Sequence, residues 1–199
     1  MRPMPAKLAA KLYGAAELIA ERGIADAKID EIAEATEIPV ATLYYYFRGK
    51  EEILSFLLGD LLDTIAGEVG AAIAQPGPAV DRLQRAVEAQ VRVMLENPAV
   101  CRALTGDLGR ATRLPELAVA LDGAFYRPLE QLLREGVEDE SLRSLAEPDK
   151  VALSIFGAIT VMGLSGAVAQ PAQKGQFIDD AARAVCDLLI DGLRSRPAR

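Results

Sequence analysis

Apolar positions recur along the whole chain at spacings of three and four residues, the period of a helix and not of a strand. Leu8, Leu12, Ala15, Ala16 and Ile19 form one such stripe and predict a first helix over 5–22, stopped by Gly23. A short second helix is expected over 28–36, with Ile29, Ile32 and Ala33 inward and Asp26 as its cap. Pro39 opens a third, because proline fits a first helical turn, and this helix ends near Arg48-Gly49. The fourth, over 50–74, carries Ile53, Leu54, Leu57, Leu58, Leu61, Leu62 and Ile65 until Gln75-Pro76-Gly77-Pro78 breaks it. A fifth over 79–96 stops at Asn97-Pro98, and a sixth is expected over 99–108. The seventh, over 115–139, is expected to bend at Pro128. The eighth starts at Glu147-Pro148-Asp149 and ends by Pro171; the ninth runs over 175–193. The pattern predicts an all-α fold of about nine helices. An N-terminal three-helix domain, residues 1–49, precedes a C-terminal helical bundle, residues 50–199.

Composition agrees with that class, since Ala, Leu, Glu and Arg dominate and β-branched residues rarely cluster. Histidine is absent, and Cys101 and Cys186 lack metal-ligand spacing, so two buried reduced thiols are expected, with no metal and no cofactor. The N-terminus shows no apolar core of a signal peptide, which leaves the cytoplasm as the expected compartment. Residues 151–169 carry no charge, and at about 1.5 Å per residue such a run nearly crosses a bilayer. Its Ser154, Thr160, Ser165 and three glycines, and its isolation, favour a helix buried in the bundle over a membrane span.

The third helix reads Val40-Ala41-Thr42-Leu43-Tyr44-Tyr45-Tyr46-Phe47. Only Leu43 and Phe47, four apart, must face the core, so the three tyrosines cannot all be buried. Three short helices with a tight connection between the second and third describe a helix-turn-helix, and exposed aromatics on the last of them suit a partner. Over 15–54 the chain resembles the tetracycline-repressor (TetR) family. The resemblance rests on Ile32-Ala33, Ile38, the run Thr42 to Phe47, Lys50-Glu51 and Leu54, all in register without a gap.

This resemblance implies a ligand-responsive, DNA-binding transcriptional regulator: a repressor released from its operator by a small apolar or amphipathic effector, and not an enzyme. It implies phosphate contacts for Thr42 and Tyr44, and for Lys50 at the start of the fourth helix. Val40, Ala41 and Tyr45 fall where the family reads base edges; the first two can sense only thymine methyls and shape. Lys28 stands where the family commonly has a threonine that caps the second helix near a phosphate. Three positions depart from the family pattern: Glu37 replaces the turn glycine, Thr36 a small alanine, and Pro39 the serine cap. A glutamate in a left-handed turn is strained.

The eighth and ninth helices bear more apolar surface than one chain easily covers, and the resemblance implies a homodimer through this pair on palindromic DNA. Met94, Cys101, Phe125, Tyr126 and Phe156 are the candidate effector-binding residues, with Arg92, Arg102, Thr105 and Asp122 as polar neighbours. Two rival classes stand beside this reading. An enzyme would have to work without histidine, and no paired constellation of acids and bases stands out. A helical interaction module with a degenerate helix-turn-helix is the other. The net charge of −7, with seven Lys/Arg against nine Asp/Glu over 1–56, gives it some weight.

Overall fold

The computed structural model describes residues 4–106, 115–165 and 174–194, and over these every named element is helical, so the fold is all-α. The expected first helix is two, α1 (Ala6–Leu12) and α2 (Ala15–Asp26). The backbone stays right-handed between them, but Gly14 and Ala16 donate to carbonyls three residues back, Lys11 and Tyr13, each at 3.0 Å. The turn is therefore tightened rather than broken. Only glycine fits at position 14, where a Cβ would lie 2.4 Å from the Ala35 carbonyl oxygen. Gly23 breaks the helical path as expected, with φ 76° and ψ 156°.

Then come α3 (Ile29–Thr36) and α4 (Val40–Tyr46). The cap of α3 is Lys28, not Asp26, because Ala27 and Lys28 are both extended and hold Asp26 two residues upstream. Lysine offers no acceptor, so the helix start is tied from the other side: the Lys28 amide donates to the Glu31 carboxylate at 3.1 Å. Further along lie α5 (Lys50–Ile73), α6 (Ala79–Glu96), α7 (Pro98–Gly106) and α8 (Pro115–Leu121). After these come α9 (Arg127–Glu138), α10 (Pro148–Ser165) and α11 (Lys174–Leu189). The ends expected for the sixth and eighth helices lie outside the described residues.

The chain divides into two compact units, residues 1–61 with 99–118, and residues 62–98 with 119–199. The division cuts α5 after Leu61. In the first unit α3 packs against α2 and α4. Leu12, Ile19, Ile24, Ile32, Ile38, Leu43, Phe47, Ile53, Leu57 and Leu58 fill its core, all 2 % exposed or less.

In the second unit α6 is central and packs against α9, α10 and α11. Pro78 brings no side-chain acceptor to the start of α6. Distant residues supply it: the Ala79 amide donates to Asp139 at 2.7 Å and the Val80 amide to Ser141 Oγ at 3.1 Å. The Ser141 hydrogen bond, together with that amide, holds the Asp139 carboxyl below its ordinary range. The bend expected at Pro128 takes the form of a π-helical turn, Asp122–Tyr126, between α8 and α9. There the Arg127 amide reaches five residues back, to Asp122.

α10 is not buried all round. Ala152, Ile155, Phe156 and Ile159 are inside, while Leu153 and Val161 are exposed. On α11, Ile178, Ala181, Ala182, Val185 and Cys186 are buried and Leu188 is 77 % exposed. No helix among the described residues is long and apolar enough to cross a membrane.

Candidate nucleic-acid interface and effector site

The helix-turn-helix turns on Glu37. It caps α3 in the left-handed conformation, φ 51° and ψ 33°. The Ile38 amide then bonds the Ala33 carbonyl at 3.1 Å and the Glu37 amide that of Glu34 at 3.2 Å, which satisfies two end carbonyls of α3. The expected strained turn is therefore real. Its side chain points away from the core and pairs with Lys11 at 3.0 Å. Thr36, in the alanine position, is buried and donates its hydroxyl to the Ile32 carbonyl at 2.7 Å. Pro39 is the residue before the first turn of α4 and its carbonyl accepts from the Thr42 and Leu43 amides.

On α4, Leu43 is buried, as is Phe47 just after it, whereas Tyr44 and Tyr45 are 57 % and 59 % exposed. Ala41 is exposed and Val40 and Thr42 half-buried. Val40 with Tyr44 and Ala41 with Tyr45 stand four apart, so these four candidates share the outward side of the helix. Tyr46 is half-buried and meets the Tyr45 ring edge-on at 4.9 Å. The two candidate cations meet at the start of α3. Lys28 caps that helix, and Lys50 donates from Nζ to the carbonyls of Ala25 at 2.5 Å and Ala27 at 2.9 Å. Lys50 thus ties the segment before α3 to the start of α5. Among the other basic residues here, Lys11, Arg22 and Arg48 pair with Glu37, Glu31 and Glu52. The acids are therefore interleaved with the bases and not segregated from them.

Of the effector candidates, the second unit holds Met94, Phe125, Tyr126 and Phe156. Phe156 of α10 lies between the π-turn aromatics, 4.9 Å from the Phe125 ring and 4.8 Å from that of Tyr126. Met94 is fully buried where α6 and α10 meet closely: a Cβ on Gly163 would sit 3.0 Å from the Met94 side chain. Cys101 belongs to the first unit, buried, with its thiol pushed up to about 12 by that burial against the opposing pull of Arg102. The polar neighbours all have protein partners. Arg92 pairs with Asp179, Arg102 with Glu17 and Asp122 with Arg127, and Thr105 donates to the Cys101 carbonyl.

Sequence reasoning missed Gln90. It sits on the apolar stripe of α6 with Ala86, Val87, Val91 and Met94, wholly buried. Its Nε2 donates to the Ala124 carbonyl in the π-turn at 2.9 Å. That carbonyl would ordinarily accept from residue 128, which is proline and has no amide hydrogen. The signal was present: a glutamine in register with an apolar stripe, and a proline four residues after an alanine.

Two descriptions match the chain: "Bacterial regulatory proteins, tetR family" over residues 12–55, and "Tetracyclin repressor-like, C-terminal domain" over residues 76–163. The repressor KstR2 of Mycolicibacterium smegmatis is 26 % identical over 143 residues, which are 69 % of this chain and 68 % of that protein. The structure of KstR2 of Mycobacterium tuberculosis, a ketosteroid transcriptional regulator, covers 98 % of both chains with a TM-score of 0.80 at 20 % identity. The regulator FadR of Bacillus subtilis, solved with stearoyl-CoA, gives 0.72 at 19 % identity over 94 % of this chain and 98 % of its own. AibR, solved with isovaleryl coenzyme A and operator DNA, gives 0.69 at 20 % identity over 92 % and 98 %. With matches to both of the family's domains and KstR2 as a relative, the chain belongs to the TetR family of bacterial transcriptional regulators.

Proposed function

We propose that this regulator represses transcription by binding a palindromic operator as a homodimer, and that an acyl group carried on coenzyme A releases it. Residues 1–49 are the DNA-binding part and residues 50–199 the effector and dimer part. The observation that carries the DNA reading is the outward side of α4, where Tyr44 and Tyr45 stand exposed beside Ala41 and Val40. Such exposure of large aromatics is costly without a partner. Thr42, Tyr44, Lys28 and Lys50 are proposed to hold phosphates, and Val40, Ala41 and Tyr45 to meet base edges.

The effector reading is supported by the Phe125–Tyr126–Phe156 cluster with Met94, an apolar lining in the second unit. FadR with stearoyl-CoA and AibR with isovaleryl coenzyme A supply the ligand class. The exposed Leu153 and Val161 of α10 and Leu188 of α11 support a dimer through those two helices. α5 carries residues of both units, so a ligand that shifts it would alter the placement of Lys50 and of α4 before it. Effector and operator would then weaken each other's binding equally. No catalytic role is assigned to any residue.

Interleaved charge favours one alternative, a helical interaction module that has lost its DNA role. Fluorescence anisotropy with DNA from beside the chain's own gene separates the two. Specific binding is expected, and Lys50→Ala should lower the slope of log affinity against log salt by about two units, about one for each half-site of the dimer. Equal, weak binding to this DNA and to random DNA would favour the interaction module.

A further inference from the structure

We infer that the Gln90 side-chain oxygen is an acceptor reserved for a hydrogen-bond donor, a hydroxyl, on the buried part of the effector. The inference rests on the effector reading above and names the chemistry that this site selects. Gln90 Oε1 is buried with no exposed surface and has no hydrogen-bond partner among the described residues. A buried acceptor left unpaired destabilises its own conformation, and such groups in folded proteins call for an explanation.

The amide cannot turn over to escape this. Its nitrogen is committed to the Ala124 carbonyl at 2.9 Å, which Pro128 cannot serve. A flip would leave two oxygens facing each other and the nitrogen stranded. The orientation is thus fixed by the chain's own chemistry, and the free end of Gln90 is an acceptor only. Ala86, Val87, Val91 and Met94 on the same stripe of α6, and Ala124 and Phe125 in the turn that Gln90 reaches, are buried and apolar.

A second, independent observation marks the same place. The π-turn Asp122–Tyr126 carries the Ala124 carbonyl and two of the three rings in the aromatic cluster. π-turns are irregular stretches with an alternative α-helical register available, and they occur often at functional sites. The unliganded protein therefore holds an uncompensated acceptor beside an adjustable turn, and a hydroxyl on the ligand removes the defect on binding. A ketone at the same carbon brings a second acceptor and is disfavoured.

The test uses unmodified protein and a matched series of ten-carbon acyl-CoAs: the saturated parent, isomers with one hydroxyl moved along the chain, and the corresponding ketones. At least one hydroxylated isomer is expected to bind about tenfold more tightly than both the parent and its own ketone, the worth of one buried hydrogen bond. Gln90→Met should abolish that preference, so that parent, alcohol and ketone bind the variant alike, whatever its absolute affinity, with helical content checked by circular dichroism. Equal binding of parent, alcohol and ketone at every position overturns the inference and leaves the effector reading standing. A hydroxyl preference that survives Gln90→Met also overturns it. Failure of every acyl-CoA to bind overturns the effector reading itself, and this inference with it.

Discussion

Replacing Glu37 by glycine separates backbone strain from surface charge at the helix-turn-helix. Its φ of 51° and ψ of 33° are conformations in which glycine carries no Cβ penalty, a relief of about 1–2 kcal/mol. Against this, glycine loses more freedom on folding, about 0.5–1 kcal/mol. The lost ion pair with Lys11 is exposed on both sides, 47 % and 81 %, and contributes at most roughly 0.2–1 kcal/mol. The three terms nearly cancel, so Glu37→Gly should melt within about 2 °C of the parent protein. DNA binding is not balanced in this way. A unit charge about 10 Å from a phosphate in water contributes roughly 0.4 kcal/mol, about twofold per half-site and fourfold for a dimer. The substitution also releases Lys11 from its partner. Anisotropy titrations should therefore show tighter binding of Glu37→Gly at low salt, with the gain fading near physiological salt as screening shortens to about 8 Å. Glu37→Gln keeps the left-handed strain but loses the charge; it should match the gain in affinity and melt lower than Glu37→Gly. A folded Glu37→Gly that no longer binds DNA would refute the reasoning and make the carboxylate a recognition group, for instance toward a cytosine amino group.

Three further outcomes follow from the second unit. Leu188→Glu places a charge at a side chain that is 77 % exposed in one chain, so it should leave the fold intact and shift sedimentation from dimer to monomer; an unchanged dimer would move the interface elsewhere. Gln90→Leu strands the Ala124 carbonyl, but after Pro128→Ala a backbone amide can take its place, so the loss of stability should shrink by about 1 kcal/mol in a double-mutant cycle. Additive losses would mean that Pro128 and Gln90 are unconnected. The carboxyls of Asp139 and Glu135 are both held below their ordinary range, Asp139 first by Ser141 and Glu135 first by Gln131 and then Arg82. Their contribution is present above about pH 4 and is lost as pH falls through the lowered values, so the stability gap between the parent and Asp139→Asn should be full at pH 7 and narrow toward pH 3. A gap independent of pH would remove this role from Asp139.

What the sequence made legible was local. Leu43 and Phe47, four apart, announce which side of α4 is buried, and so leave Tyr44 and Tyr45 outside. Glu37 announces a left-handed turn because the register of its neighbours marks the position as one for glycine. What stayed hidden is of longer range. Nothing near Pro78 says that Asp139 and Ser141 will supply the amide acceptors of α6, and nothing near Lys11 points to Glu37. The bend at Pro128 was foreseeable, but its form was not, since a π-turn depends on Gln90 of another helix taking the stranded carbonyl. Cys101 was grouped with the effector candidates by chemistry, and the fold assigns it to the other unit. Charge was the least readable, because pairing across helices and not composition decides which cations can meet phosphate.

The proposed opposition of operator and acyl-CoA is measured most directly by anisotropy of the operator-bound protein during a titration with stearoyl-CoA and, separately, isovaleryl-CoA. Linkage requires that the apparent operator affinity fall as either effective ligand rises and then level off, with the same factor recovered when acyl-CoA affinity is measured with and without operator. That plateau and that equality are the expected result. Specific operator binding that is indifferent to both acyl-CoAs, each shown separately to bind the protein, would contradict the account.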